Sequence, residues 1–219
     1  MCNLYRMTKT VDEIASLFDA VDAAQGANFG EEIYPGYPGL VVASNAEGAY
    51  QVGTMSWGFP LVMKGKNGQP LKPKPVNNAR TDKLDGFFWR SSFERRRCLI
   101  PVSAWAEAQG AKGAKTRTWL SLPDTETFAA AGVWRKSEEF GTCYSMVMTE
   151  SAGSAAESVH SRMPVILAPD DYGRWMSGSP HLTQNLVLFS LTPASKFAFL
   201  SFSLNFAFPF RMTSFRIPS

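Results

Sequence analysis

Short β-rich segments dominate this sequence and constrain its fold more than any other feature. Clusters of glycine, proline, asparagine and serine separate them, and segments bounded in this way are typical of strands. They lie at about 38–44, 50–57, 97–102, 116–122, 128–134, 143–149 and 163–167. Because many short strands with few helices favour sheets whose neighbouring strands run in opposite directions, the sequence predicts an α+β fold with a mostly antiparallel sheet.

Helix signals occur at only three places. Thr10 followed by Glu13 forms a capping-box pattern, and the apolar residues after it recur on one helical face, which predicts a helix over 11–24. A second helix is predicted over about 82–95, and Pro169 with the two aspartates that follow it predicts the start of a third.

The composition is that of a soluble globular chain. Of its 219 residues, 45% are hydrophobic and 19% are charged, which excludes a disordered chain, a collagen and a coiled coil. Its three cysteines (Cys2, Cys98 and Cys143) show no CxxC spacing, and no secretory leader precedes them. We therefore expect a cytoplasmic protein without disulfides, metal or other cofactor.

The charge is unevenly distributed. Residues 11–50 hold seven acids and no lysine or arginine, whereas residues 61–97 hold ten lysines and arginines against three acids. Clustered basic residues favour a polyanionic partner, although a solvated loop explains them equally well, and 64–78 is predicted to be such an exposed loop. The arginines expected to add to a basic groove are Arg80, Arg95, Arg96 and Arg97.

The carboxyl-terminal segment 182–219 differs from the rest of the chain. It contains eight of the sixteen phenylalanines and no acidic residue. A membrane span is one interpretation of 186–210. A strand is favoured instead, because the segment contains Lys196 and two prolines and because phenylalanine alternates with other residues. We therefore divide the chain into a domain over 1–181 and a Phe/Ser-rich tail over 182–219.

Cys2 is the first candidate for chemistry. Initiator methionine is removed when the next residue is small, so the mature chain is expected to begin with a cysteine that carries an amine and a thiol on adjacent carbons. With ordinary pKa values of about 8 and about 8.5, both groups are partly in their nucleophilic forms at neutral pH. Such a pair can close a thiazolidine on an aldehyde or attack an amide. An incidental cysteine is the structural alternative.

Proton transfer would require a further side chain. The chain has two histidines, and His160, which precedes the apolar run 165–167, is a better candidate than His181, which lies in a Ser/Gly/Pro loop. Glu107 stands beside Trp105 in apolar surroundings, which can raise the pKa of a carboxyl into the range of acid–base catalysis. A structural histidine and an exposed glutamate at a strand end are the alternatives.

Amide, guanidinium and indole groups between 57 and 80 suit contacts with nucleic acid. Asn77, Asn78 and Arg80 follow the Lys/Pro-rich loop and can bind phosphates and base edges. Trp57 can stack on a base, with packing in the core as the alternative.

Taken together, these residues resemble the SOS-response-associated peptidase (SRAP) family, the abasic-site shielding proteins. The similarity covers about residues 1–180, and the motifs follow the family's order. They are Met1-Cys2-Asn3-Leu4-Tyr5, Trp57-Gly58, Asn78-Ala79-Arg80-Thr81-Asp82, Phe93, Arg95-Arg96-Arg97-Cys98-Leu99-Ile100-Pro101, Glu107, Gly132-Val133-Trp134 and His160-Ser161-Arg162-Met163-Pro164-Val165-Ile166-Leu167.

The resemblance implies a single α+β domain with a β-barrel-like core and a basic groove for single-stranded DNA. It also implies that the amino-terminal cysteine forms a thiazolidine with the ring-opened aldehyde of an abasic site, which gives a stable DNA–protein cross-link. Loss of Met1 would correspond to the family's apparent self-processing, from which the peptidase name derives. The partner would be single-stranded DNA with abasic sites, and a monomer without membrane association is expected.

The family's site residues carry over by position. The nucleophile would be Cys2, the amine and the sugar would be oriented by Asn78 and Glu107, and His160 would assist ring opening and reversal. Contacts with DNA would come from Trp57, Arg80 and Arg162.

Two features depart from the family pattern. Family members carry aromatic residues around the glutamate, as in FYEW, whereas Ala106 and Ala108 flank Glu107 here. The tail over 182–219 does not resemble the family's closing strand pattern, and an altered reading frame would explain its composition.

Two other functions fit the same residues. An amino-terminal-nucleophile amidohydrolase that uses Cys2 and His160 would turn over a small amide and ignore DNA. A noncovalent single-strand binder would bind intact and abasic DNA alike and would not need Cys2.

Overall fold

The computed structural model describes residues 2–24, 26–110, 116–152, 154–180 and 200–202. These residues form sixteen strands and three short α-helices. The strands are β1 (Tyr5–Arg6), β2 (Val21–Asp22), β3 (Glu32–Ile33), β4 (Pro38–Ser44), β5 (Tyr50–Trp57), β6 (Phe59–Leu61), β7 (Lys74–Val76), β8 (Asn78–Arg80), β9 (Arg97–Val102), β10 (Ala104–Gln109), β11 (Thr116–Ser121), β12 (Phe128–Ser137), β13 (Gly141–Glu150), β14 (Arg162–Pro164), β15 (Ile166–Leu167) and β16 (Leu200–Phe202). The helices are α1 (Val11–Leu17), α2 (Arg90–Arg95) and α3 (Tyr172–Ser177), and 3-10 turns cover Thr81–Lys83, Ala155–Ser158 and Pro169–Asp171.

Five strands close into a barrel at the centre of the fold. β13, β12, β9, β4 and β5 follow one another through antiparallel pairs. A parallel pair between β13 and β5, with Cys143 opposite Ser56, closes the ring. The predicted α+β fold, with mostly antiparallel sheets around a barrel-like core and few helices, is confirmed.

A second sheet carries the amino-terminal strand beside the barrel. Its order is β16-β11-β10-β1-β3, with Tyr5 opposite Trp105 and with the Ala106 amide donating to the Leu4 carbonyl at 2.9 Å. Both Tyr5 and Trp105 are fully buried, so their packing fixes β1 against β10. This pairing brings the residues that precede β1 alongside the strand that carries Glu107.

The strand predictions agree closely with the structure, but two helix predictions are too long. Helix α1 has the predicted capping box and then ends at Leu17, because Asp19 adopts a left-handed conformation (φ 48°) and the Ala20 amide donates to the Ala15 carbonyl at 2.9 Å. Gly86 interrupts the helix predicted over 82–95, of which only a 3-10 turn and α2 form.

Arg97 is buried rather than part of a basic groove, and this corrects the sequence prediction. Its Nη1 donates to the Phe93 carbonyl at 2.6 Å, and its other nitrogens donate to the carbonyls of Trp175 and Gly178. The guanidinium thereby joins α2 and α3 to the start of β9. Its contribution is to the stability of the fold.

Most of the predicted tail over 182–219 lies outside the described residues. The exception is β16, which pairs antiparallel with β11, with Leu200 opposite Ser121. None of the helices in the described part of the chain is long and apolar enough to cross a membrane.

Replacement of Gly39 by alanine should destabilise the barrel. A Cβ at Gly39 would collide with the hydroxyls of Tyr5 and Tyr144, two buried side chains that hydrogen-bond each other. Because overpacking of a tight core costs about 1–3 kcal/mol, Gly39→Ala should lower the free energy of urea unfolding by that amount. Gly53 lies on β5 with open space where a Cβ would stand. Gly53→Ala should therefore change the free energy of urea unfolding by less than about 0.5 kcal/mol. Equal effects of the two variants would contradict this account of the packing.

Candidate functional site

Two asparagine side chains bind the backbone of Cys2. The Nδ2 atom of Asn78 donates to the Cys2 carbonyl at 2.7 Å, and the Nδ2 atom of Asn77 donates to the same carbonyl at 2.9 Å. Asn78 lies on β8, which pairs in parallel with β13 of the barrel. The barrel wall therefore fixes the position of the second residue of the chain.

Trp57 supports this arrangement from within the core. Its indole Nε1 donates to the Asn77 carbonyl at 3.0 Å, and its ring packs against Tyr5 and Tyr144. The side chain is fully buried, so no face of the indole is open to a base. The prediction that Trp57 stacks on a base is wrong, because the tryptophan is used to orient Asn77.

The Cys2 thiol lies in a buried environment. Its Sγ donates to the Leu4 carbonyl at 3.4 Å, and burial, followed by the negative charge of Glu107, raises the pKa of the thiol to about 12. This corrects the expectation that thiolate is appreciably present at neutral pH. The thiol therefore needs a base to remove its proton when it reacts.

Glu107 is the ionisable side chain whose charge acts on this thiol. It lies on β10, opposite Thr118, and its side chain is only 3% exposed. Burial raises the pKa of this carboxyl above its ordinary value, while the positive charges of the amino terminus and of His160 act in the opposite direction. A carboxyl whose pKa is raised can both donate and accept a proton.

His160 approaches the same carboxyl from a 3-10 turn at Ala155–Ser158. The histidine amide donates to the Ala156 carbonyl at 2.9 Å, and the Arg162 amide donates to Nδ1 at 3.0 Å. Nδ1 also lies 3.2 Å from the Arg162 carbonyl, so the backbone of Arg162 holds this edge of the ring and leaves Nε2 as its other polar atom. The charge of His160 acts on Glu107, so the structure brings Cys2, Asn78, Glu107 and His160 together.

Arg80 and Arg162 lie together at the end of β8. Asp82 binds Arg80 through two hydrogen bonds of 2.9 and 2.6 Å and lies 3.9 Å from the Nη1 atom of Arg162. These two arginines form one cationic pair that a single aspartate partly neutralises.

Arg95 and Arg96 lie elsewhere. Both are on or directly after α2, and Arg95 lines a separate surface cleft with the fully exposed Phe87. Arg96 donates to the Ser91 hydroxyl at 3.0 Å. A second cleft is lined by Glu107, and it has no lining residue in common with the cleft that Arg95 lines.

Sequence reasoning placed Asn77 among the groups suited to phosphates and base edges, and it missed the hydrogen bond from Asn77 to the Cys2 carbonyl. It also missed Tyr34 and Arg117, which line a cleft with Glu107. Nothing in the chain order links these two residues to Glu107. Among the described residues, no group of three or more histidine, cysteine, aspartate or glutamate side chains is placed to hold a metal ion.

The fold and this cluster define a small β-barrel protein whose candidate reactive centre is an amino-terminal cysteine. The chain belongs to the SOS response associated peptidase (SRAP) family, whose model matches residues 1–203, and the predicted membership is confirmed. The match extends past residue 181 into the segment that we assigned to the tail.

Two curated relatives share part of the sequence. The abasic site processing protein YoaM of Bacillus subtilis is 23% identical over 197 residues, which cover 86% of each chain. The abasic site processing protein YMR114C of Saccharomyces cerevisiae is 26% identical over 125 residues, which cover 56% of this chain and 34% of that relative.

Solved structures show the same fold. A protein of Bordetella bronchiseptica superposes with a TM-score of 0.73 at 21% identity, covering 93% of this chain and all of the other. A protein of Bacteroides thetaiotaomicron superposes with a TM-score of 0.67 at 16% identity, covering 85% and 86% of the two chains.

Glu107→Gln should weaken the pH dependence of stability. Because burial raises the pKa of Glu107 above about 4.5, the folded protein retains this proton at pH values where the unfolded chain has lost it. The associated stability is present below the unfolded pKa and is lost as the pH rises through the folded pKa. Glutamine has no such proton, so urea unfolding between about pH 4.5 and pH 7 should show a smaller decrease for the variant than for the wild type. Glu47→Gln, at an exposed turn, should keep the wild-type profile, and an unchanged profile for Glu107→Gln would contradict the assignment.

Proposed function

We propose that this protein recognises abasic sites in single-stranded DNA and shields them by forming a covalent cross-link through Cys2 after removal of Met1. The observation that carries the proposal is the fixation of the Cys2 carbonyl by Asn77 and Asn78 next to the buried carboxyl of Glu107. The names of the two curated relatives, both abasic site processing proteins, support DNA with abasic sites as the partner.

The first step joins the cysteine amine to the sugar. A ring-opened abasic site exposes an aldehyde at C1′, and the unprotonated amine of Cys2 attacks this carbon. The carbonyl oxygen gains protons and leaves as water, which gives an imine. Glu107 supplies a proton to the departing oxygen, because its raised pKa allows the carboxyl to carry one.

The second step closes the ring. Sγ attacks the imine carbon, the thiol proton passes through Glu107 to the imine nitrogen, and a thiazolidine results. No oxidant or reductant is needed. Since burial raises the thiol pKa to about 12, ring closure depends on this transfer rather than on a thiolate formed beforehand.

Asn78 and His160 assist these steps. The Oδ1 atom of Asn78 is buried and has no hydrogen-bond partner among the described residues, so it can accept a hydrogen bond from the Cys2 amine. His160 keeps Nδ1 engaged with the Arg162 amide, which leaves Nε2 for proton exchange with the sugar during ring opening and reversal.

The DNA backbone would meet arginines at two separate places. Arg80 and Arg162 are proposed to bind the phosphates that flank the lesion, where phosphate competes with Asp82. Arg95 and Arg96 on the α2 side are proposed to contact a more distant part of a longer strand.

Cys2→Ala and Cys2→Ser should both abolish a stable adduct with abasic single-stranded DNA. Serine keeps the amine but lacks the sulfur that closes the ring, so only a reversible imine can form. The measurement is a denaturing gel without reductant, combined with the intact mass to confirm that Met1 is absent. An undiminished heat-stable adduct from Cys2→Ala would exclude the thiazolidine.

The same gel separates the alternative functions. A noncovalent binder would shift intact and abasic strands equally on a native gel and would give no adduct after denaturation. An amidohydrolase that uses Cys2 would give no adduct and would hydrolyse a small amide. Only the proposed function requires both the abasic site and Cys2.

His160→Ala should slow adduct formation or its reversal by about 10²-fold, the usual size of a general acid–base contribution. His181→Ala is the matched control and should change either rate by less than about twofold. Rapid quenching and gel quantification give both rates. Equal effects of the two substitutions would remove the role assigned to His160.

A further inference from the structure

The side chain of Gln109 connects the strand that carries Glu107 to the turn that precedes His160. Its Nε2 atom donates to the carbonyl of Ser158, the last residue of that 3-10 turn, at 3.2 Å. Its Oε1 atom accepts a hydrogen bond of 2.5 Å from the Thr118 hydroxyl on β11. Both the nitrogen and the oxygen of the amide are therefore bonded, each to a different element of the fold.

Gln109 lies on the same face of β10 as the Glu107 carboxyl. Side chains alternate between the two faces of a strand, so residues two apart point to the same side and lie about 7 Å apart along it. The register agrees, because Thr118, whose hydroxyl binds Gln109, is directly opposite Glu107. Thr118 and Glu107 are both buried, so this face is turned toward the interior. Gln109 is therefore the next side chain after the carboxyl on this face.

Glu107 and His160 belong to different parts of the fold. Glu107 is in the second sheet, whereas His160 lies in the connection between the barrel strand β13 and its neighbour β14. Within this connection the Ser151 hydroxyl donates to the His160 carbonyl at 2.5 Å. Such a bond shapes the connection but cannot set its distance from β10. The hydrogen bond from Gln109 to Ser158 crosses between the two parts, so it bears directly on that distance.

We infer that Gln109 is a positioning residue that holds His160 at the distance from Glu107 that proton exchange with one sugar requires. The inference rests on the proposed function, in which both groups act on the same abasic site. The turn at Ala155–Ser158 ends two residues before His160, and the His160 amide donates to the Ala156 carbonyl at 2.9 Å, so the histidine moves with the turn. The charge of His160 acts on Glu107, and this coupling weakens as the two groups separate.

The test is the rate of adduct formation at saturating abasic single-stranded DNA, where binding no longer limits the rate. Gln109→Met keeps the length of the side chain and removes both hydrogen bonds. It should lower the rate by about tenfold, because a small misplacement of a catalytic group is enough for such a loss. Gln51→Met, the same exchange on β5 of the barrel, should match the wild type.

A double-mutant cycle separates positioning from a general loss of stability. If Gln109 acts through His160, Gln109→Met should have no further effect once His160→Ala has removed the imidazole. Gln109→Lys keeps an N–H donor for the Ser158 carbonyl. It should recover part of the rate when His160 is present, but it should change nothing in the His160→Ala background.

Three results would overturn the inference. One is that Gln109→Met is as fast as Gln51→Met, and another is that Gln109→Met lowers the rate by the same factor with and without His160. The third is that His160→Ala itself is as fast as the wild type. Failure of the proposed function looks different, because the wild type would then form no adduct with the abasic strand.

Discussion

The pair of hydrogen bonds from Asn77 and Asn78 to the Cys2 carbonyl is the contact on which the site depends. Cys2 lies before β1, and side chains rather than strand pairing hold its carbonyl. The barrel provides these side chains because β8 pairs with β13 and Trp57 binds the Asn77 carbonyl from the core. Loss of either hydrogen bond would weaken the attachment of Cys2 beside the carboxyl of Glu107.

Burial sets the chemistry of this site. It raises the pKa values of both the Cys2 thiol and the Glu107 carboxyl, so burial favours the neutral form of each group. A neutral thiol is a poor nucleophile until its proton is removed, whereas a carboxyl of raised pKa both donates and accepts protons. The charge of His160 limits the shift in the pKa of Glu107, and the charge of Glu107 acts on the Cys2 thiol, so the three groups are electrostatically coupled.

The sequence predicts most strands, because turn-forming residues lie at their ends and β-rich residues lie between them. It also predicts Cys2, Glu107 and His160 as candidates from residue type and motif, and the structure places them within electrostatic reach of one another. It does not predict the role of Trp57, since an indole that stacks on a base and one that packs in a core have the same local sequence.

The proposed cross-link is a thiazolidine ring that the amine and the thiol of Cys2 close on C1′ of the abasic sugar. The most direct measurement is carbon-13 NMR of the adduct formed with DNA labelled at C1′, with the processed wild-type protein and without reductant. The account predicts that C1′ becomes a saturated carbon bonded to both nitrogen and sulfur. An imine carbon at C1′, or a saturated carbon bonded to an oxygen of the protein, would contradict it.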